Sequence, residues 1–308
     1  MMAGLRPALA ILIYHRVLAR PDPLFPEQVD AARFDRHLSL LRRCFTVLPL
    51  AQALRRLDQG DLPPRAASIT FDDGYADNAE VALPLLQWHG LPACFFIATA
   101  YLDGGRMWND SVINAVRMAP GPQLDLSAFD LGVYPVATLL QRRHTISELL
   151  RRLKYLPFSH RLACADEIGR APATGLMLRS AQVQALQRAG MEIGAHTDTH
   201  PILSTLAAAG ARSDILAGKR RLEQLTDAPV TLFAYPNGQP GRDYGARDVA
   251  IVRDLGFEAA VSTHWGVARA GTDRFQLPRF TPWDRSRLGF LLRMAHNRWR
   301  PGLSGPIL

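Results

Sequence analysis

Short apolar runs recur along the chain with helical patterns between them, a rhythm that fits βα units better than a sandwich. The run at 8–14 predicts a first strand, and Phe34, Leu38 and Leu41 follow it at helical spacing. A strand at 45–48 and a short helix at 51–57 come next. The strand at 68–71 stops at the charged turn Asp72-Asp73-Gly74; a helix over 76–88 is closed by Gly90, and 93–98 has the length of a buried strand. Later, Ser180 reads as the N-cap of a helix ending near Gly190, and the strand at 191–195 runs straight into His196. A helix at 205–225, a strand at 231–234, a helix at 247–255 and strands at 257–262 and 275–280 bring the total to about seven βα-like units.

From about 101 to 175 the rhythm breaks, with Gly104-Gly105, Pro120-Gly121-Pro122, Pro135 and Pro157 among basic helical pieces. This stretch is read as a helical and irregular insertion in a single domain spanning 1–297. Residues 298–308, rich in Arg, Pro and Gly, are read as a tail.

With 308 residues, 48% hydrophobic and 21% charged, the chain has an ordinary globular composition and can bury a core without staples. Cys44, Cys94 and Cys164 are too scattered for a metal motif or a disulfide framework and are expected to be reduced core thiols. No run approaches the roughly 20 apolar residues that span a bilayer, and the short apolar segment near the start lacks a cleavage site. The expected compartment is the cytoplasm, with peripheral association with a membrane-bound assembly left open. The net charge of +8 comes almost wholly from arginine, since only Lys154 and Lys219 are lysines. The arginines lie in scattered pairs such as Arg42-Arg43 and Arg151-Arg152, and no nucleic-acid module is recognisable, so nucleic acid is not an expected partner.

Three strand ends carry chemistry. In Thr70-Phe71-Asp72-Asp73-Gly74-Tyr75, two adjacent carboxylates end a buried strand. That is costly unless a cation neutralises them or one is kept for proton transfer, although Asp-Asp-Gly is also good turn chemistry. In His196-Thr197-Asp198-Thr199-His200, two histidines four apart can reach one ion if the segment between them turns helically; the competing reading is a chance surface pair. Together the two motifs could form a two-histidine, one-carboxylate face suited to catalytic Zn²⁺, with Fe²⁺ as an alternative, leaving the second aspartate free as a base. The third strand end, Phe233-Ala234-Tyr235-Pro236-Asn237-Gly238, could present a backbone N–H to an oxyanion or be an ordinary connection.

In this order, TFDDG at 70–74, HTxxH at 196–200 and the YPNG turn at 235–238 resemble the polysaccharide deacetylases of carbohydrate esterase family four. The YHRV stretch at 14–17 and Leu277-Pro278-Arg279-Phe280 are similar to the branch that modifies bacterial exopolysaccharides. The resemblance implies a distorted (β/α)₇ barrel that removes N-acetyl, less often O-acetyl, groups from an acetylated poly- or oligosaccharide with a divalent metal, Zn²⁺ first. Carried over by position, it makes Asp72 the general base, Asp73, His196 and His200 the metal ligands, and the backbone N–H of Asn237 an oxyanion donor.

Two departures from the family pattern matter. Phe233 stands where many members carry an arginine that braces the base; Arg279 could supply that charge or be one surface arginine among many. The family's usual acid, a histidine in a late strand, finds only a loose match at His296, inside a helical pattern at 285–298, so His15 and His264 are the candidates to protonate the departing amine. These departures also motivate a second reading, a catalytically inactive carbohydrate-binding protein on the same barrel. Trp108 and Asp110 stand where the insertion could cover the metal face, and Trp283 follows the LPRF strand; the two rings could pack against sugar rings, with core packing the preferred reading for each tryptophan.

Overall fold

The computed structural model describes residues 7–169 and 175–299. In chain order the first half contains β1 (Ala10–Tyr14), α1 (Ala31–Cys44), β2 (Thr46–Val47), α2 (Leu50–Gln59), β3 (Ala66–Phe71), α3 (Leu83–His89) and β4 (Cys94–Ile97). Between β4 and the next barrel strand come α4 (Trp108–Met118), β5 (Gln123–Asp125), β6 (Val133–Pro135), α5 (Leu139–Leu153) and α6 (Phe158–Ile168). The second half contains α7 (Ser180–Arg188), β7 (Glu192–Ala195), α8 (Ala208–Thr226), β8 (Leu232–Ala234), α9 (Ala246–Asp254), β9 (Ala259–Val261) and α10 (Arg287–Trp299).

The main sheet is parallel, ordered β1-β3-β4-β7-β8-β9, with β2 joined to β3. The run expected as a strand at 275–280 forms no regular strand. It makes single parallel bridges instead, Leu277 to Val261 on one side and Phe280 to Leu12 on the other. Ser262 and Ile13 donate their N–H groups to Leu277 and Phe280, so this segment links the two sheet edges and closes a distorted (β/α)₇ barrel.

Strand alternation sorts the core. Leu12, Tyr14, Phe71, Phe95 and Ile97 share a cluster with α1 residues Phe34, Leu38 and Leu41. The alternate set, with Ile11, Ala66, Cys94, Phe96 and Ala234, clusters with Leu50, Ala53, Leu54 and Leu57 of α2. Pro49 gives α2 no side-chain cap; Glu192, opening β7, accepts from the Leu50 and Ala51 N–H groups at 2.6 and 3.0 Å and places its charge at the positive helix end.

Other differences from expectation are local. Ser180 is the first helical residue of α7, not its cap: the carboxylate of Asp103 accepts from the Ser180 N–H and hydroxyl. The helix expected over 76–88 opens with a π turn at Asn78–Ala82, where Asn78 donates its amide to the His15 carbonyl. The segment 101–169 is more ordered than an irregular insertion, with the β5–β6 hairpin and α4, α5 and α6 around Val112, Val116, Leu149, Leu153 and Ala165. Helix α10 continues through Trp299, so the tail expected from 298 starts later, and 300–308 lie outside the described residues. Cys94 and Cys164 are buried free thiols, but Cys44 is only half-buried. Among the described residues, no helix is long and apolar enough to cross a membrane.

Candidate active site

The period-two alternation of β3 sends Thr70 and Asp72 the same way, and β3 ends as the chain turns through Asp73 and Gly74, both at positive φ. Gly74 is required twice over: it has φ +88°, and a Cβ there would lie 2.9 Å from the Ile97 side chain. Asp72 is met by Arg279 in a two-pronged ion pair of 2.7 and 2.6 Å. Arg279 is fully buried and also donates to the Thr70 hydroxyl and the Ser262 carbonyl, so its fork is fixed in place. Burial raises the Asp72 carboxyl, but Arg279 and His196 outweigh it and hold the group below its ordinary range.

Strand β7 delivers His196 beside this pair. Its Nδ1 lies 2.7 Å from the Ala234 carbonyl of β8 and donates to it, leaving Nε2 as the free lone pair. The turn to His200 is not helical, as the sequence reading required. Thr197 and His200 both adopt left-handed backbone, and the Thr197 hydroxyl oxygen accepts from the His200 N–H at 3.0 Å. Asp214 of α8 holds the turn from outside, accepting from the Asp198 and Thr199 N–H groups and the Thr199 hydroxyl. Helix α8 comes this close because it carries Gly218, where a Cβ would stand 2.4 Å from the Thr197 carbonyl oxygen.

The turns bring Asp73 Oδ1 to 3.4 Å from His196 Nε2 and 3.3 Å from His200 Nε2. These three donors lie within 4.8 Å of one another. Asp73 Oδ1 and His200 Nδ1 are buried with no hydrogen-bond partner. A buried carboxylate oxygen that faces two imidazole nitrogens and accepts no hydrogen bond is what a cation site leaves behind when its ligand set is otherwise complete, so the group fits a divalent ion. Burial raises Asp73, but its contacts with the two imidazoles pull it well below the carboxylate range. Burial lowers both histidines; the two carboxylates carry His196 above its ordinary value, whereas His200 stays below.

A cavity of about 450 Å³ opens over this group, and Asn237, Thr263 and His15 line it. Asn237 is a fourth non-glycine residue of the cavity turns with left-handed backbone, at φ 59°, beside Asp73, Thr197 and His200. Each such position costs of order 1–3 kcal/mol, held here by the surrounding hydrogen bonds. Among the described residues no group accepts the Asn237 N–H, and its carbonyl accepts from the Thr263 hydroxyl at 2.7 Å. His264 does not line the cavity; its carbonyl accepts from the Arg279 N–H. His296 lies on α10, as the helical pattern indicated. Trp108 is on the cavity wall, whereas Trp283 lines a neighbouring depression that also includes His15. Asp110 does not cover the metal face: it is buried beside the Tyr75 hydroxyl, where desolvation pushes it up to about 7.

A family model for polysaccharide deacetylases matches residues 59–260, a span that includes Asp72, Asp73, His196, His200 and Asn237. The chain belongs to the polysaccharide deacetylase family. Among relatives of this chain, YxkH of Bacillus subtilis (strain 168), whose name places it in the same family, is 20% identical over 277 residues, 89% of this chain and 71% of that protein. The fold is shared with Streptococcus pyogenes deacetylase PplD, solved in complex with acetate, at a TM-score of 0.63 and 17% identity over 94% of this chain and 98% of that one. It is shared equally with IcaB from Ammonifex degensii, at a TM-score of 0.62 and 18% identity over 94% and 97% of the two chains.

Sequence reasoning missed the supports and one wall of this site. Asp214 and Gly218 lie on a helix that carries no motif. Arg151, Lys154, Tyr155 and Arg242 reach the cavity from 101–175 and the 241–245 turn. In the sequence Arg151 and Lys154 belong to one of several similar basic pairs and clusters, so nothing set them apart.

Proposed function

We propose that this deacetylase hydrolyses N-acetyl groups of an acetylated poly- or oligosaccharide, with Asp73, His196 and His200 holding a divalent ion and Asp72 acting as general base. The reading rests on one observation: Asp73 Oδ1 converges on both Nε2 atoms beside an ionised Asp72 at the floor of a sugar-sized cavity. Two imidazoles and one carboxylate suit Zn²⁺ best. When bound, such an ion supplies Lewis acidity, polarising the acyl oxygen and acidifying water.

The residues supply the rest. Asp72, kept ionised and oriented by Arg279, takes the proton of the attacking water. Asn237 lines the cavity, and its N–H, which no group accepts among the described residues, is available to the developing oxyanion. His15, on the cavity wall, delivers a proton to the leaving amine. That step favours N-acetyl over O-acetyl substrates, because an amine leaves poorly unless it is protonated. The buried Arg279–Asp72 pair also supplies the brace that Phe233 cannot, which weakens the case for an inactive sugar-binding protein.

Acetate release from N-acetylhexosamine oligomers tests this reading. Asp72→Asn is expected to lower kcat by about 10²–10⁴ with little change in KM. His15→Gln should lower kcat on the amide substrate far more than on p-nitrophenyl acetate, whose leaving group needs no proton. Equal losses on the two substrates would remove His15 from the acid role, and an unchanged kcat in Asp72→Asn would overturn the reading.

A further inference from the structure

Of the charged groups lining the catalytic cavity, the two acids are already matched. Asp72 is neutralised by Arg279, and Asp73 faces the two histidines. Arg151, Lys154 and Arg242 line the same cavity, and among the described residues none of them lies in an ion pair with a carboxylate. Other buried or half-buried arginines of this chain do pair, such as Arg16 with Asp77 and Arg293 with Asp284. Two of the three wall cations are also held against one ring. Arg242 lies 4.8 Å and Lys154 5.5 Å from the centroid of the Tyr155 ring, and Arg161 donates to the Lys154 backbone carbonyl at 2.6 Å. Burial lowers the Lys154 ammonium; the Asp243 carboxylate opposes that shift, and Arg242 and Arg161 add to it. Three cations gather on this wall against one nearby acid, the buried Asp243, and among the described residues no ion pair neutralises them.

We propose that the substrate carries a negative charge close to the acetylated sugar, recognised by Arg151, Lys154 and Arg242. The proposal rests on the deacetylase reading and adds the substrate's charge class to it. A planar guanidinium fork matches either a carboxylate, as in a hexuronate residue, or a phosphate diester, so both sources share this chemistry.

Three substrates decide it: a neutral N-acetylhexosamine tetramer, an N-acetylated oligosaccharide with alternating hexuronate, and an N-acetylhexosamine oligomer joined by phosphodiesters. Acetate release is measured for each at low and high salt. At least one anionic substrate is expected to exceed the neutral tetramer in kcat/KM by about tenfold, through KM, with the advantage shrinking as salt screens the wall. Which of the two is preferred names the source of the charge. In the triple variant Arg151→Gln, Lys154→Gln, Arg242→Gln the ratio should fall to about one, whereas Arg220→Gln on exposed α8 surface should keep it. Arg151→Gln alone, at an exposed position, lowers the ratio in the same direction if the triple variant folds poorly. A neutral tetramer cleaved as well as both anionic substrates overturns the inference and leaves the deacetylase reading standing. An undiminished ratio in the triple variant overturns it too, and release from none of the three overturns both.

Discussion

Arg279 and Asp72 form a buried ion pair whose value depends on both partners being present. Removing one leaves an uncompensated charge, so Arg279→Met is expected to destabilise the fold by about 3–5 kcal/mol in denaturant unfolding. The double variant Arg279→Met, Asp72→Asn should recover much of that loss; equal stabilities of the single and double variants would show that the pair is not coupled. Because the Asp72 carboxyl is held below its ordinary value in the fold, its contribution is present above the usual carboxylate range of about 4 and is lost as pH falls through the lowered value. This residue also shows where the sequence stops being informative. LPRF at 277–280 marked Arg279 as a candidate, but nothing in a linear chain says that residues 207 positions apart form a two-pronged pair. The pairing follows from barrel closure, which places the segment between β9 and β1.

At the scale of elements, α8 and α1 make opposite kinds of demand. Helix α8 holds the histidine turn only because Gly218 lets its backbone approach the Thr197 carbonyl. Gly218→Ala should therefore weaken zinc binding, measured by competition with a chromogenic chelator, by at least about tenfold, although alanine is the better helix former by about 1 kcal/mol. Gly210→Ala in the same helix, where a Cβ meets nothing, should leave zinc affinity unchanged and raise Tm slightly. Equal effects of the two substitutions would mean that the close approach does not position the site. Helix α1 buries His37 between the Tyr14 hydroxyl and the Asp284 carbonyl, stacked on Phe290 of α10. Desolvation lowers the imidazole to about 4. The folded protein binds this proton less readily than the unfolded chain, so stability falls as pH drops from about 6.5 towards 4, by up to about 3 kcal/mol. His37→Phe should flatten Tm against pH over that window; an unchanged slope would place the titration elsewhere. The helix and strand periods of these elements were readable because each buries one face. The 275–280 run also looked strand-like, but it has a bridging partner on each side at only one position, so it never becomes a regular ladder.

Across the whole molecule, the floor of the site was legible and its wall was not. TFDDG, HTxxH and YPNG each sit at a strand end, so a parallel barrel brings them to one face whatever the loop lengths. The wall is assembled from α5, the turn after it and the turn before α9, and these meet only through tertiary packing. The left-handed turn at Thr197 was equally hidden, since a pair of histidines four apart suggests a helix until the hydroxyl and the Asp214 carboxylate impose another path. The central claim is that the Asp73, His196 and His200 group holds the ion on which hydrolysis depends. Acetate release from an N-acetylated oligosaccharide, followed on protein stripped by chelator and then titrated with Zn²⁺ while bound metal is quantified, tests that claim most directly. The account predicts negligible release from the stripped protein and recovery that saturates at one zinc per chain, with no recovery in His200→Ala. Undiminished release from the stripped protein, or full recovery in His200→Ala, would contradict it.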